Sequence, residues 1–451
     1  MNAQVFREYD IRGIVEHDFD DAFVIDLGRG YATLLHRAGA KSITLGRDCR
    51  LSSDRLRDLL LKGLLEAGIN VVDIGVVPTP LLYFSVLSWK MDGGAMITGS
   101  HNAAEYNGFK LGVGPTTIHG AEIQKLREII ERRDFVRSGT PGTVSERPVI
   151  PDYNAFILSQ FKLKPGLKVV VDGGNGCGGV IAAPLMKQLG LEVVGLYLEM
   201  DGRFPNHHPD PTVEENMRDL IAAVKKNHAA IGIAYDGDAD RVGAVDENGR
   251  IVWGDELMVA FSRAILKERP GATIIGDVKC SKRMYDDIVS HGGRPIMWKT
   301  GHSLIKSKLK EESAALAGEM SGHMFFADRY FGFDDAIYAS FRLLEIVSHE
   351  GRGLGAILSD LPDSHFTPEI RVDCPDDRKF EIVRAAADYF RQHYDVTDID
   401  GVRVNFSDGW GLVRASNTQP ALVTRFEATT EARLAEIRAL FDAKLRDFGA
   451  I

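Results

Sequence analysis

Lys168-Val169-Val170-Val171-Asp172-Gly173-Gly174-Asn175-Gly176 is the stretch whose reading decides the fold. It predicts a buried strand that runs into a glycine-rich turn. The apolar segment from Val180 to Leu191 follows, and Glu192-Val193-Val194-Gly195-Leu196 closes the unit as a second strand. The same strand–helix–strand order occurs twice more. Ile43-Thr44-Leu45-Gly46-Arg47-Asp48 leads into a helical pattern over Ser53 to Gly68, carried by Leu56, Leu59, Leu60 and Leu64, and then into Asn70-Val71-Val72-Asp73-Ile74-Gly75. Thr273-Ile274-Ile275-Gly276-Asp277-Val278-Lys279 leads into Ser281 to His291 and then Pro295-Ile296-Met297-Trp298. Buried strands alternating with helices imply mainly parallel sheets covered on both faces. Units this far apart indicate three similar α/β domains with mixed, mainly parallel sheets, and not a solenoid of short repeats.

The tail has a different grammar. Phe366 to Val372, Val402 to Phe406, Gly411 to Ala415 and Ala421 to Ala428 read as strands, with helices over Arg378 to Tyr394 and Thr430 to Phe448. Strands bracketed by helices predict an antiparallel α+β fourth domain. The expected domains are 1–150, 151–252, 253–365 and 366–451.

Length and composition agree with a multidomain globular chain. The chain has 451 residues, 44% of them hydrophobic and 26% charged, with 46 glycines suited to many strand-to-helix turns. A net charge of −10 argues against nucleic acid or an anionic membrane as the main partner. Cys49, Cys177, Cys280 and Cys374 are far apart and form no CxxC pair, which suggests free thiols in a reducing compartment. With no apolar signal region at the N-terminus and no apolar run long enough to span a bilayer, a cytoplasmic location is expected. A monomer is compatible with the sequence, which does not set the oligomeric state.

Two short strings carry the chemistry. Thr98-Gly99-Ser100-His101-Asn102 stands at the end of a predicted strand, Ala95-Met96-Ile97, where open α/β sheets bind ligands. Lys110 follows ten residues after Ser100 and is suited to contact an anion or to act in proton transfer. Taken alone, the serine string reads first as an ordinary polar turn, and it is its place at the strand end that favours a ligand. Asp236-Gly237-Asp238-Ala239-Asp240-Arg241 puts three carboxylates at alternate positions beyond the strand Ile231-Gly232-Ile233-Ala234-Tyr235. Three close carboxylates repel unless a cation neutralises them. Asp236, Asp238, Asp240 and Glu247 match EF-hand ligand positions. However, Arg241 occupies the position where that loop needs glycine, and Asn248-Gly249 predicts a hairpin where a helix should follow. An octahedral Mg²⁺ with one exogenous oxygen, supplied by a phosphate on Ser100, is the preferred reading. Serine needs activation, and phosphoryl transfer combines a serine carrier with a metal.

Four further strings are weaker when taken singly, because each also reads as an ordinary turn or loop. Gly318-Glu319-Met320-Ser321-Gly322-His323 would project a polar comb suited to sugar hydroxyls. Arg414-Ala415-Ser416-Asn417-Thr418-Gln419, with Arg425 on the next strand, would form a phosphate cradle. Phe6-Arg7-Glu8-Tyr9-Asp10-Ile11-Arg12-Gly13 could bring Arg12 to an anion, and Thr300-Gly301-His302-Ser303 follows the third repeat's second strand.

Taken together, in this order, the strings resemble those of the α-D-phosphohexomutase family, in particular its bacterial phosphomannomutase/phosphoglucomutase subgroup. The resemblance extends from Tyr9-Asp10-Ile11-Arg12-Gly13 to the Arg414 string. It implies four domains around a central cleft, the last similar to the TATA-box-binding-protein fold. It implies a phosphoryl group carried on Ser100 and Mg²⁺ bound by Ser100, Asp236, Asp238 and Asp240. Catalytic parts for His101, Arg12, Arg241 and His323, with Lys110 in proton transfer, are implied as well. Sugar contacts would come from Glu319, Ser321 and His323, with Tyr9, Lys279 and His302 around the substrate. The non-reacting phosphate would be held by Arg414, Ser416, Asn417, Thr418 and Arg425. Met320 followed by Ser-Gly-His is similar to the mannose/glucose enzymes, whereas glucosamine mutases carry glutamine at that place.

The expected activity is interconversion of mannose 6-phosphate with mannose 1-phosphate, and of the glucose pair, through a hexose 1,6-bisphosphate, with glucose 1,6-bisphosphate as activator. The rival readings are a phosphoglucosamine mutase, a metal-dependent sugar phosphatase, and a non-enzymatic sugar-phosphate or Ca²⁺-binding module.

Overall fold

The computed structural model describes residues 2–417 and 420–450. Each of the first three sheets is built around the strand that opens a repeat. Lys168–Asp172 lies between Glu192–Leu196 and Ile231–Tyr235, parallel to both, and Val242–Asp246 returns antiparallel beside Ile231–Tyr235. The same four places are taken in the first domain by Ser42–Arg47, Asn70–Val76, Gly93–Ile97 and the antiparallel Tyr106–Val113. In the third they are taken by Thr273–Asp277, Arg294–Trp298, Leu316–Gly318 and the antiparallel Met324–Phe326. Helices Ser53–Glu66, Gly179–Gln188 and Lys282–Ser290 lie between the first two strands of their units. Val169, Val170 and Val171 are fully buried, as a strand covered on both faces requires.

This shared order gives the three sheets one loop in common, between the third strand and its antiparallel return. The loops are 98–105, 236–241 and 319–323. The serine string, the acidic string and the Glu319–His323 comb are therefore equivalent positions of three repeats.

The fourth sheet is antiparallel throughout, and helices Lys379–His393 and Glu431–Asp447 pack on it. The Phe441 ring lies 4.5 Å from Phe390 and 5.3 Å from Phe426. The single strand expected over 366–372 is two, His365–Phe366 and Ile370–Asp373. Pro368 lies in the gap and has no N–H to give the ladder. His365 pairs with Ala428, so this sheet begins one residue before the expected boundary.

One apolar core runs from Leu81 and Phe84 of the first domain through Ile181 and Ile233 to Phe261 and Tyr338 of the third. The fourth domain has its own core. A small cluster of Val278, Trp410 and Leu412 joins it to the third. There Arg403 stacks on Trp410 at 3.7 Å and donates to the carbonyls of Val278 and Cys280 at 2.7 Å each. Among the described residues, no helix is long and apolar enough to cross a membrane.

Candidate active site

The equivalent loops of the first two sheets meet face to face. Ser100 Oγ donates to Asp236 Oδ2 at 3.0 Å, and His101 Nδ1 lies 3.2 Å from the same Oγ. Ser100 has φ +48°, an uncommon conformation for a residue with a side chain and one that recurs at functional turns. Gly237 is needed for this approach, because a Cβ there would sit 2.4 Å from the Ser100 carbonyl oxygen. Gly322, with φ +93°, allows the third loop to close on the second, since a Cβ would meet the Val242 carbonyl at 2.4 Å.

Asp236, Asp238 and Asp240 are buried, each with a carboxylate oxygen within 4.8 Å of the others. Lys110 neutralises part of this charge: its Nζ donates to Asp238 Oδ2 at 2.8 Å and to Asp240 Oδ2 at 2.5 Å. Burial opposes a charged Lys110, but the two carboxylates outweigh it and hold the ammonium well above the ordinary lysine range. The structure thus places Lys110 as the counter-charge of the acidic loop.

A divalent cation fits what remains. The other oxygens, Asp238 Oδ1 and Asp240 Oδ1, are buried without any hydrogen-bond partner, an arrangement that is costly unless something positive faces them. Burial, followed by repulsion from Asp240 and Asp238, pushes the Asp236 carboxyl well above the usual carboxylate range. Glu247 lies elsewhere: its carboxylate accepts from the backbone N–H groups of Gly355 and Ala356, which removes it from any EF-hand-like set.

The three-sheet junction opens into a cavity of about 1310 Å³. That exceeds the roughly 300–1,000 Å³ usual for small-molecule pockets. Arg12 is held in it by Asn102 Oδ1 at 2.8 Å and Asp10 Oδ2 at 2.5 Å. Arg241 Nε donates to His323 Nε2 at 3.0 Å. Burial, then the Arg241 and Arg12 charges, drives His101 well below the ordinary histidine range, so it is neutral. On the far wall Glu319 accepts from Gly301 N at 2.5 Å and from Ser321 Oγ at 3.2 Å. His302 packs between Tyr9 and His323, its ring 5.6 and 5.9 Å from theirs. Lys279 pairs with Glu369 at 3.0 Å.

The fourth domain closes the cleft with Arg414, Ser416 and Asn417. Arg414 Nε donates to Asp400 Oδ2 at 2.9 Å, and Asn417 Nδ2 donates to Tyr9 OH at 2.9 Å, which in turn donates to the Thr300 carbonyl. Thr418 lies outside the described residues. Arg425 is not brought to the cleft. Its guanidinium is buried at the seam with the third domain, where it donates to Asp255 Oδ2 and the Lys279 carbonyl. The reason is register: Arg425 pairs with Leu412 and Val423 with Arg414, so Arg425 shares a face with Arg414 but lies two places further along its strand, away from Ser416 and Asn417.

Arg50 was not singled out from the sequence, yet it holds the serine loop together. Fully buried, it donates to the carbonyls of Ser100, Asn102, Ala103 and Tyr106 at 2.5–3.0 Å and pairs with Asp48. Its only sequence signal is its place in the turn after the first strand. Asp334 was also passed over; it forms a second buried cluster with Asp240 and His323.

Models of four domains of one family match in order: the phosphoglucomutase/phosphomannomutase alpha/beta/alpha domains I, II and III over residues 3–137, 151–249 and 253–365, and its C-terminal domain over 369–444. The chain belongs to the phosphoglucomutase/phosphomannomutase family. Within this family it is 47% identical to a phosphomannomutase/phosphoglucomutase of Pseudomonas aeruginosa, over 99% of this chain and 96% of that one. It is 45% identical to a phosphoglucomutase of Neisseria gonorrhoeae, over 98% and 97%. The crystal structure of a phosphoglucomutase/phosphomannomutase family protein from Burkholderia thailandensis superposes with a TM-score of 0.92 at 42% identity, covering 100% of this chain and 98% of that one. The four-domain α/β architecture expected from the repeats is that of this family.

Proposed function

We infer that this member of the family interconverts the 6- and 1-phosphates of mannose and of glucose, through a phosphoserine at Ser100 and a hexose 1,6-bisphosphate. The observation that carries the reading is the meeting of the serine and acidic loops, with the Glu319–His323 loop on the same cavity. Phospho-Ser100 hands its phosphoryl group to the free hydroxyl of a bound hexose phosphate. That hydroxyl loses a proton, and Ser100 Oγ gains one as the Oγ–P bond breaks. His323 lies on the cavity wall to take the first, and His101 Nδ1 is the ring atom beside Oγ where the second arrives. Glu319 and Ser321 hold the sugar hydroxyls. Asp236, Asp238 and Asp240, with Ser100, would hold Mg²⁺, which supplies charge stabilisation for the transferring group. A cavity this large supports turnover of the bisphosphate without release. Glucose 1,6-bisphosphate added from outside would re-prime the serine. The first domain would thus be the phosphoserine domain, the second the metal-binding, the third the sugar-binding and the fourth the phosphate-binding domain. The free cysteines support a cytoplasmic location.

Kinetics with the 1-phosphates of mannose, glucose and glucosamine test the reading. Mannose and glucose should be used with comparable kcat/KM, stimulated by glucose 1,6-bisphosphate, with glucosamine poor. Preference for glucosamine 1-phosphate, or release of inorganic phosphate in place of isomerisation, would replace it by one of its rivals.

Arg414 supplies a second expectation. A guanidinium binds phosphate oxygens whichever sugar carbon bears them. Arg414→Ala should raise KM for both sugars alike, by a factor equivalent to about 2 kcal/mol, a charged hydrogen bond's worth. It should also increase dependence on added bisphosphate, because the intermediate escapes more often. An effect on one sugar alone would rule out a common anchor.

A further inference from the structure

Asp334 is fully buried behind the cleft and stands outside every string that marked the site. A backbone bridge to Phe325 fixes it just ahead of helix Ala336–Glu350. Its two oxygens face different cations or donors. Oδ1 accepts from Lys306 Nζ at 3.2 Å, and that ammonium also sits over the Tyr83 ring at 4.4 Å. Oδ2 faces His323 Nδ1 at 3.3 Å. Both of these facing atoms are buried, and neither has another hydrogen-bond partner, so each is what can satisfy the other. Asp240 Oδ1 is further from Nδ1, at 3.7 Å, and is one of the oxygens suited to a cation.

The opposite side of the His323 ring sets its hydrogen. Arg241 Nε donates to His323 Nε2 at 3.0 Å. A guanidinium N–H only donates, so Nε2 presents its lone pair and, in the neutral ring, the hydrogen is on Nδ1. His323 lines the cavity, while Asp334 and Lys306 lie behind it.

We propose that Asp334 is the positioning residue for His323, holding the ring as the Nδ1–H tautomer so that Nε2 carries the lone pair, which Arg241 Nε caps here and yields to the hexose hydroxyl when substrate binds, and that Lys306 keeps the carboxylate in that orientation. The inference rests on the reading of His323 as the group that takes the hydroxyl proton. In the step, the hydroxyl oxygen bonds phosphorus and its proton passes to Nε2. The Oγ–P bond of Ser100 breaks, and Oγ takes up one proton from solvent, so that the proton count balances the one left on Nε2. The Nδ1 hydrogen stays on the ring, and Asp334 stabilises the imidazolium without accepting it.

Asp334→Asn tests this. Lys306 holds the amide oxygen, which turns the amide NH₂ toward Nδ1 and moves the ring hydrogen to Nε2, the wrong atom. The expected result is a fall in kcat of roughly 10²–10³-fold, in the range of one acid–base group, with KM for mannose 1-phosphate changed by less than about threefold. In a His323→Ala background the same substitution should cost less than about twofold more, since the two residues act as one unit. A kcat near wild type, a loss confined to KM, or losses that multiply in the double variant would each overturn the proposal. The wild-type protein gives a readout that needs no Asp334 variant to fold. With ¹⁵N-histidine labelling, and His323→Ala to assign the signal, His323 should report Nδ1–H, and an Nε2–H ring would overturn the proposal. If wild-type protein showed no mutase turnover, or His323→Ala kept it, the functional reading itself would fall, while the tautomer would still decide the Asp334–His323 pairing.

Discussion

Ser100→Ala should lose turnover by roughly 10⁴-fold or more, the scale on which removing a nucleophile acts, while the protein stays folded. The reason lies in what Oγ does. It makes one hydrogen bond to Asp236 and one contact with His101, so its loss removes about 1 kcal/mol of stabilisation and no packing of consequence. The backbone at Ser100 has φ +48°, and alanine fits that conformation no worse than serine does. The loop is also stapled from behind by Arg50, which binds its carbonyl oxygens and not the serine side chain. Intact-mass spectra give an independent check. Wild-type protein should show a species one phosphate heavier than its sequence mass, and the variant should not. A variant with near-normal exchange would place the carrier elsewhere.

Asp238→Asn should act almost as strongly by a different route. The carboxylate accepts from Thr79 Oγ1 and Lys110 Nζ through Oδ2, while Oδ1 has no partner. An amide keeps the shape, removes a charge and weakens a ligand. Turnover should fall by roughly 10²–10³-fold, as when one preorganised charge-stabilising group is lost. The Mg²⁺ concentration needed for half-maximal activity should rise by at least the roughly 10–100-fold that even an outer-shell change produces. Stability should move the other way in the absence of metal. Three buried carboxylates repel, and Lys110 already pairs with Asp240 as well, so one charge fewer should not lower the melting temperature. What should shrink is the rise in melting temperature on adding Mg²⁺, because stabilisation by a ligand follows its affinity for the folded state. A Mg²⁺ titration superimposable on wild type would remove the acidic loop as the metal site.

Much of this was legible along the chain because it is local. Val169-Val170-Val171 before a glycine corner is a strand ending in a turn wherever it stands, and three such units define three sheets. The clustering of charge in the three aspartates was legible because their repulsion is a property of the string itself. The hairpin at Asn248-Gly249, which argued against an EF-hand, is likewise a local matter and is formed by Val242–Asp246 and Ile251–Val252.

Other features depend on partners far off in sequence. The equivalence of the three loops around the cleft follows from strand order, which hydrogen bonding between distant strands decides. Arg425 was read beside Arg414 because their strands are neighbours, yet the register offsets it by two residues and its guanidinium meets Asp255 of the third domain. Lys110 was read as a proton-transfer group, and only the fold shows that its ammonium faces two carboxylates 128 and 130 residues away. Arg50 and Asp334 carry no motif, since an isolated arginine or aspartate is ordinary in any sequence. Order along the chain was enough for the repeats, the local crowding of charge in the acidic string and the family. The tertiary structure decided which charges meet. Desolvation and Coulomb attraction act over a few ångströms of space, so they register separation in the fold and take no account of separation along the chain.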